Sequence, residues 1–563
     1  MSENETTGVA APTKKGSARL GQLVSLQRLM LLIVLLGIAL RAWAYLRDTS
    51  LYLDEILLSR NILDLPLRYL LTKPLMLDQV APRGFLLIER VAVAIFGGNE
   101  MALRLFPFTC SVASLLLFRR LAERILSPIG AAIAVFLVAI GVPFIRFGAE
   151  VKQYECDLLA AIVLLLIARN FMENEVSTRL LALNGLAGFT VIWFSQASVL
   201  VMAGIGVAIA LEWLVTRDGK AGRALFFTIS QWAVASLAAV ATGLRSMTPS
   251  TRQYMNDFWA GAFFPFPFHW RTGAVWIGQR FSELFSDATL LRYKWPVAFT
   301  LLAAAGIAVV WNRNRVVAWL LCGPPLVALA AAIAHQYPFR GRLAFWLLPA
   351  AILFLAAAID RVRDKASRLH PAVGAATVLA VLVVPVLAIA EAPPPYEIEH
   401  TWELLGYLQQ HRQPGDAIYA TQLEEVGMRF YGPRFGLQPN EWITGACDRD
   451  DARTFLRDMD RFRGTRRLWV LAGSGRPLAA VRGAVLKYLG AIGVRSDAKA
   501  FPSMLYGSMT IELYDLSDPN RLAAANAETF PVPSMPRDPK IGCRDWVRHE
   551  FDWDLSHQAK PEE

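Results

Sequence analysis

The chain has 563 residues, 55% hydrophobic and 18% charged, whereas an average soluble domain is about 45–50% apolar and about 25% charged. The apolar excess falls in runs, which excludes a soluble globular enzyme and a disordered chain, and five cysteines are too few for a disulfide scaffold. The net charge of +10 reports topology, because many basic residues sit in short links between apolar runs: Arg119, Arg120 and Arg124; Arg217, Lys220 and Arg223; Arg313 and Arg315; Arg361, Arg363, Lys365 and Arg368. No nucleic-acid partner is expected.

In chain order, residues 1–26 read as a disordered tail, and Lys14, Lys15, Arg19 and Arg28 place the N-terminus in the cytoplasm. A span needs about 20 mostly apolar residues. Candidates fall near 27–46, 101–118, 127–143, 157–173, 179–194, 197–215, 224–243, 296–311, 316–334, 343–359 and 371–391. Ala42-Trp43-Ala44 resembles a signal-peptide cleavage site, and a retained first span is the expectation. Eleven crossings put the basic links inside and the C-terminus outside. The fold class expected is a polytopic α-helical membrane protein of about 11 transmembrane helices with a C-terminal α/β domain.

Two outer loops are long, about 47–100 and 244–295. The first carries amphipathic stretches, Leu51 to Leu63 and Phe85 to Phe96, suited to the membrane surface. Pro393-Pro394-Pro395 opens a segment of soluble composition, residues 393–563. Helices are expected there at Thr401–His411 and Ala479–Ile492, and strands at Asp416–Ala420, Arg467–Ala472 and Met509–Leu516. Cys447 and Cys543, the two cysteines of that compartment, are expected to form a disulfide.

The sharpest chemical feature is Tyr52-Leu53-Asp54-Glu55, about ten residues after the first span. Adjacent carboxylates at a membrane surface are costly unless solvated, paired or functional. Other ionisable groups collect on the same face. They are Asp78, Arg83, Glu100 and Arg104; Arg146, Glu150, Lys152, Glu155 and Asp157 with Tyr154; and His335, Arg340 and Arg342 with Tyr337. Residues 254–276 are rich in aromatics, among them Trp259, Trp270 and Trp276, with His269 between them. An interfacial belt explains most such clusters, and the functional version is a lid over a lipid-linked sugar.

The Asp54-Glu55 pair resembles the acidic motif of polytopic glycosyltransferases of the GT-C fold that use lipid-linked sugars. So do the Pro82 segment, the stretch from Phe96-Gly97 through Arg104 to Pro107, and Tyr337-Pro338-Phe339-Arg340-Gly341-Arg342 before a span. The likeness covers about residues 28–360 and is nearest to bacterial lipid A aminoarabinose transferases and protein O-mannosyltransferases. It makes residues 27–392 a transmembrane catalytic domain in a bacterial inner membrane, with residues 393–563 in the periplasm. It implies inverting transfer of a sugar from a polyprenyl-monophosphate donor to a hydroxyl of a cell-envelope acceptor, among membrane lipids. Asp54 takes the place of the base on the acceptor, and Glu55 orients the acceptor or Asp54. Arg245, Tyr337, Arg340 and Arg342 become donor-phosphate contacts, Lys152 a weaker one, and Arg83 a substitute for the lysine that the lipid A transferases carry in the first loop. Glu155, Asp157, His269 and Trp270 are the substrate-binding candidates. A monophosphate leaving group needs no bridging ion, so neither a metal nor a cofactor beyond the donor substrate is expected. The competing expectation is a secondary transporter or flippase, but such proteins carry mid-span charge and inverted repeats, and these spans are poor in the former.

Overall fold

The structure, a computed structural model, describes residues 14–173, 177–244, 247–446, 448, 450–473, 479–503 and 507–535. Helix α1 (Lys14–Leu46) is followed by three helices of the first long loop, α2 (Leu53–Asp64), α3 (Leu67–Thr72) and α4 (Arg83–Phe96). Next come α5 (Glu100–Ile125), the bent pair α6 (Pro128–Ile140) and α7 (Val142–Arg146), α8 (Tyr154–Glu173), α9 (Thr178–Val191), α10 (Ser198–Thr216) and α11 (Gly219–Leu244). The second long loop holds α12 (Pro249–Phe258) and α13 (Trp270–Ser286), and α14 (Pro296–Arg313), α15 (Arg315–Ile333), α16 (Leu348–Ser367) and α17 (Pro371–Glu391) complete the bundle.

Each of the eleven stretches expected to span coincides with a helix. By length and composition, seven helical segments of the described residues are apolar enough to cross a membrane, or eight if the pair α6–α7, bent by 57°, counts as one. Among those that do not qualify, α8 carries Glu155, Asp157, Arg169 and Glu173, and α9 has only 14 residues. The chain is a multi-pass membrane protein. Its perimeter exposes large apolar side chains in rows, such as Leu31, Leu32 and Leu35 on α1 and Leu379 and Val383 on α17, as a lipid-facing surface requires.

Without a hydrophobic force between helices in lipid, close packing at small residues holds them together. Gly204 of α10 faces Gly323-Pro324 of α15, and a methyl group on either glycine would collide with the other helix's backbone. Gly306 of α14 meets the Phe354 carbonyl of α16 in the same way. Helix α1 is packed in like the rest. A Cβ on Gly37 would lie 2.7 Å from Leu115 and 2.9 Å from Ala139. Buried Arg41 donates to Ser111 Oγ (3.0 Å), to its own Gly37 carbonyl and to the carbonyls of Val138 and Ala139.

The C-terminal domain comprises α18 (Thr401–His411), β1 (Ala417–Ala420), α19 (Gln422–Tyr431), β2 (Ile443–Thr444), α20 (Arg453–Asp460), β3 (Leu468–Ala472), α21 (Ala479–Ile492), β4 (Val494–Ser503), β5 (Gly507–Asp515) and α22 (Pro519–Ala524). Its sheet runs β2-β1-β3-β5-β4, with β1 parallel to both neighbours and β5 antiparallel to β3 and β4. β3 is wholly buried at the centre, with Trp469 and Leu471 on one side and Leu468 and Val470 on the other. Cys447 and Cys543 lie outside the described residues.

This domain sits against the first long loop. Ser50 Oγ donates to the Glu399 carbonyl (2.7 Å), the Leu51 amide to Tyr431 Oη (2.8 Å) and the Leu53 amide to Glu399 Oε2 (3.0 Å). Arg434 pairs with Glu100 at 2.8 Å. The first loop and the C-terminal domain therefore share one face of the bundle.

Candidate functional site

Helix α2 begins at the acidic pair because both carboxylates suit the positive end of a helix dipole. Its apolar residues Ile56, Leu57, Leu58 and Ile62 are fully buried, which fixes the rotation of the helix. Glu55 is thereby turned inward, with 1% of its surface exposed. Its carboxylate accepts from Arg104 Nη2 (2.9 Å) and Nε (3.2 Å), from the Val151 amide (2.8 Å) and from the Tyr52 amide (3.2 Å). Arg104 also donates to the carbonyls of Thr49 (2.7 Å) and Ser50 (3.3 Å). Of the two roles expected of Glu55, orienting the acceptor or orienting Asp54, its burial is at odds with the first. Its lone pairs are taken up in holding the loop.

Asp54 faces the other way, half-buried, and its Oδ2 lies 2.8 Å from Arg342 Nη2. The Arg342 guanidinium lies 5.7 Å from the Trp259 ring centroid and 5.9 Å from that of Tyr154, within cation–π range of both. Lys152 is buried and donates to Gln79 Oε1 at 2.9 Å. Burial pulls its ammonium down to about 8, outweighing the attraction of Asp54. Gln79 is delivered by Leu77 and Asp78, both left-handed at φ 62° and 52°, a conformation that non-glycine residues adopt only at a cost. Asp78 Oδ1 in turn accepts from Thr251 Oγ1 at 3.0 Å, tying α12 to the first loop. An open pocket of about 530 Å³ runs along the polar side of α12, lined by Met247, Pro249, Arg252, Gln253, Asn256 and Asp257.

Tyr52 Oη donates to Glu150 Oε2 at 3.3 Å, and Glu150 is ion-paired with Arg146. The arrangement is a partly exposed carboxylate beside one arginine and one buried lysine, on a frame of buried ion pairs. It offers a base for a hydroxyl proton and two cations for an anion.

Several sequence candidates lie elsewhere. Arg83 donates to the carbonyls of Leu70 (2.6 Å) and Lys73 (2.5 Å) and so closes the end of α3 instead of reaching a phosphate. Tyr337 Oη already donates to the Leu343 carbonyl (2.9 Å) and accepts from Trp346 (3.3 Å), which leaves it no free proton for a ligand. Arg340 is 42% exposed and pairs with Glu283 at 3.6 Å rather than with the Asp54 cluster. Glu155 is fully buried in the bundle, and Asp157 nearly so. Both sit in the first turn of α8, and Arg41 lies five residues from the end of α1, so these buried charges cluster at one end of the bundle. His269 and Trp270 are exposed at the start of α13, where Arg271 stacks 5.2 Å over the Trp270 ring. Arg245 lies outside the described residues.

The sequence analysis assigns no role to Gln79, Glu399 or Tyr431 and no partner to Arg104, and their contacts reach across as many as 380 residues. It also passed over Glu397, His400 and Glu403, which the structure gathers at the foot of the C-terminal domain. Their i, i+3, i+6 spacing was the available signal. Glu399, between them, titrates well above the usual carboxylate range, through burial first and then the Glu424 charge.

No known family pattern matches the chain, and no curated protein is detectably similar. Among solved structures, the oligosaccharyltransferase AglB from Archaeoglobus fulgidus, in complex with an inhibitory peptide and a dolichol-phosphate, is similar over 86% of this chain and 74% of its own, at 13% identity and TM-score 0.48. ArnT from Cupriavidus metallidurans bound to undecaprenyl phosphate is similar over 87% of this chain and 98% of its own, at 11% identity and TM-score 0.45.

Proposed function

We propose that the chain is a membrane glycosyltransferase of the GT-C fold. It moves a sugar from a polyprenyl-monophosphate donor to a hydroxyl of a cell-envelope glycan, lipid or protein. The reaction takes place on the periplasmic face of a bacterial inner membrane, with the N-terminus cytoplasmic. The observation that carries this reading is the partly buried Asp54–Arg342 pair at 2.8 Å with Lys152 close by.

An acceptor hydroxyl is a poor nucleophile and needs a base within about 2.6–3.2 Å. Asp54 takes the hydroxyl proton as the acceptor oxygen bonds to the anomeric carbon. The bond from that carbon to the phosphate oxygen breaks, and its electron pair leaves with the phosphate. Arg342 and Lys152 neutralise the charge that develops there. Before the donor arrives, Arg342 is engaged by Asp54 at 2.8 Å. A phosphate competing for the guanidinium releases the carboxylate, so donor binding and base activation are coupled. A retaining mechanism needs a second carboxylate about 5–5.5 Å from the first. Glu55 is locked to Arg104, so a single displacement with inversion fits better.

The test is mass spectrometry of cell-envelope glycans and lipids from cells with and without the gene. Loss of one sugar substituent on deletion, restored by the wild-type chain, supports the reading. An unchanged envelope with altered uptake or flipping of a solute would support the transport alternative instead.

A further inference from the structure

The segment joining the bundle to the C-terminal domain carries Glu397, His400 and Glu403, whose ligand atoms all lie within 4.8 Å of one another. His400 Nδ1 lies 2.8 Å from Glu397 Oε2 and 3.8 Å from Glu403 Oε2. The other ring nitrogen, Nε2, lies 2.8 Å from the Pro502 carbonyl of β4. A carbonyl only accepts, so Nε2 carries the proton and donates. Nδ1 faces two carboxylates, and at 2.8 Å from Glu397 it is held in the metal-free protein by a proton shared with that carboxylate; with that proton removed it presents a lone pair to both. A divalent cation can take the place of that proton and bind all three groups at once.

From this geometry we propose that Glu397, His400 and Glu403 bind a divalent cation of the zinc class, one nitrogen and two carboxylate oxygens completing three of four positions. Zinc takes imidazole nitrogen at about 2.0–2.1 Å and carboxylate oxygen at about 2.0–2.2 Å, which sets tetrahedral ligands about 3.3 Å apart. The 2.8 and 3.8 Å separations bracket that spacing. Metal-bound histidines usually donate their second N–H to a carbonyl or carboxylate, which fixes the tautomer and the ring, and Pro502 supplies that partner here. His400 is 8% exposed whereas Glu403 is open to solvent, so the group has a preformed ligand and an entry path. The positive end of α18 opposes a cation, but two carboxylates outweigh one helix dipole. An imidazole with all-oxygen partners does not suit calcium, which takes six to eight oxygens.

The site is a staple rather than part of the chemistry. Glu399, between its ligands, accepts from the Leu53 amide at 3.0 Å, one residue before Asp54. Holding the Glu397–Glu403 segment therefore holds the start of α2. The inference does not depend on what reaction Asp54 serves.

The experiment uses the full chain purified in detergent and freed of metal with a chelator. Zinc binding is followed by calorimetry, with calcium as comparison and thermal unfolding as a second readout. The expected result is one saturable zinc site with a rise in unfolding temperature, and no matching response to calcium. Glu403→Gln, at an exposed position, should weaken zinc binding about tenfold or more, and His400→Gln should abolish it. His411→Gln, an exposed histidine on the same helix, should bind as the wild type does. If His400→Gln fails to fold, Glu403→Gln decides alone. No saturable zinc binding in the wild type would overturn the proposal. So would an affinity unchanged by Glu403→Gln, or calcium binding as tightly as zinc.

Discussion

Asp54→Asn separates catalysis from architecture. Asparagine keeps the size and one carbonyl oxygen but takes no proton from an acceptor, so transfer should fall by the worth of a positioned general base, about 10²–10⁴-fold. Stability should barely move. The Asp54–Arg342 pair leaves 23% and 18% of the two side chains exposed, and partly solvated pairs contribute about 0–1 kcal/mol. The neighbouring Glu55→Gln should behave in the opposite way. Arg104 is 3% exposed, and a charge left without its partner at such a site costs about 3–5 kcal/mol. Its loss of activity should therefore follow loss of folded protein.

The assay pairs two measurements on the same preparations: the envelope product that vanishes on gene deletion, and thermal unfolding of the purified chain. The reasoning predicts that Asp54→Asn gives folded, inactive protein and that Glu55→Gln gives unstable protein. Wild-type product levels from Asp54→Asn would refute Asp54 as the base. A folded but inactive Glu55→Gln beside an active Asp54→Asn would exchange the two roles.

Arg342→Gln and Lys152→Gln should each weaken donor binding about 10–100-fold, as loss of a charge-assisted contact worth about 1.5–3 kcal/mol predicts; unaltered donor KM in both would return these cations to a structural role. Because Lys152 titrates near 8, its contribution to donor affinity should be full below that pH and decline above it, and Lys152→Gln should flatten the profile. The same depression from the ordinary lysine value makes the native state bind fewer protons than the unfolded chain, so this group's effect on stability improves as pH rises from 8 towards 10.5. Glu424 shows the reverse: burial lifts it to about 7 despite Arg482, so its contribution is full below the unfolded value near 4.5 and is lost as pH rises through 7. Glu424→Gln should raise the unfolding temperature at pH 8 but not at pH 4.5, and no difference between the two would contradict that sign. Gly204→Val should lower stability by about 1–3 kcal/mol through overpacking at the α10–α15 crossing; an unchanged melting curve in detergent would mean that the two helices separate freely.

Where local pattern alone decides structure, the sequence is easily read. Ala479–Ile492 repeats its apolar residues at helical spacing, and α21 has those same limits. β4 escapes such a reading because it is an edge strand with Arg495, Asp497, Lys499 and Pro502 along it and seven of its ten residues exposed. Those charges and that proline protect an edge from pairing with another chain, and they also make it resemble a loop. At the site, the acidic pair is conspicuous because charge is costly beside lipid. The fates of Arg83 and Tyr337 could not be read, since each depends on which carbonyl or indole lies nearby after packing.

The divergence of Asp54 from Glu55 follows from helix geometry once one of them is fixed. Adjacent residues on a helix of about 3.6 residues per turn point about 100° apart. The bundle takes Glu55 through Arg104 and the Val151 amide, so Asp54 must point elsewhere, and the direction left to it is towards Arg342. The C-terminal domain fixes the same turn from the other side, through Glu399 on the Leu53 amide and Tyr431 on the Leu51 amide. The Asp54 carboxylate, the proposed base, is thus positioned by its neighbours' backbone and is less committed to structure than Glu55 beside it. The domain that covers the face, which carries no chemistry of its own in this reading, is then part of what makes the site rigid. A carboxylate that must exchange an arginine for an acceptor proton needs this division, because it has to change partners without the helix beneath it moving.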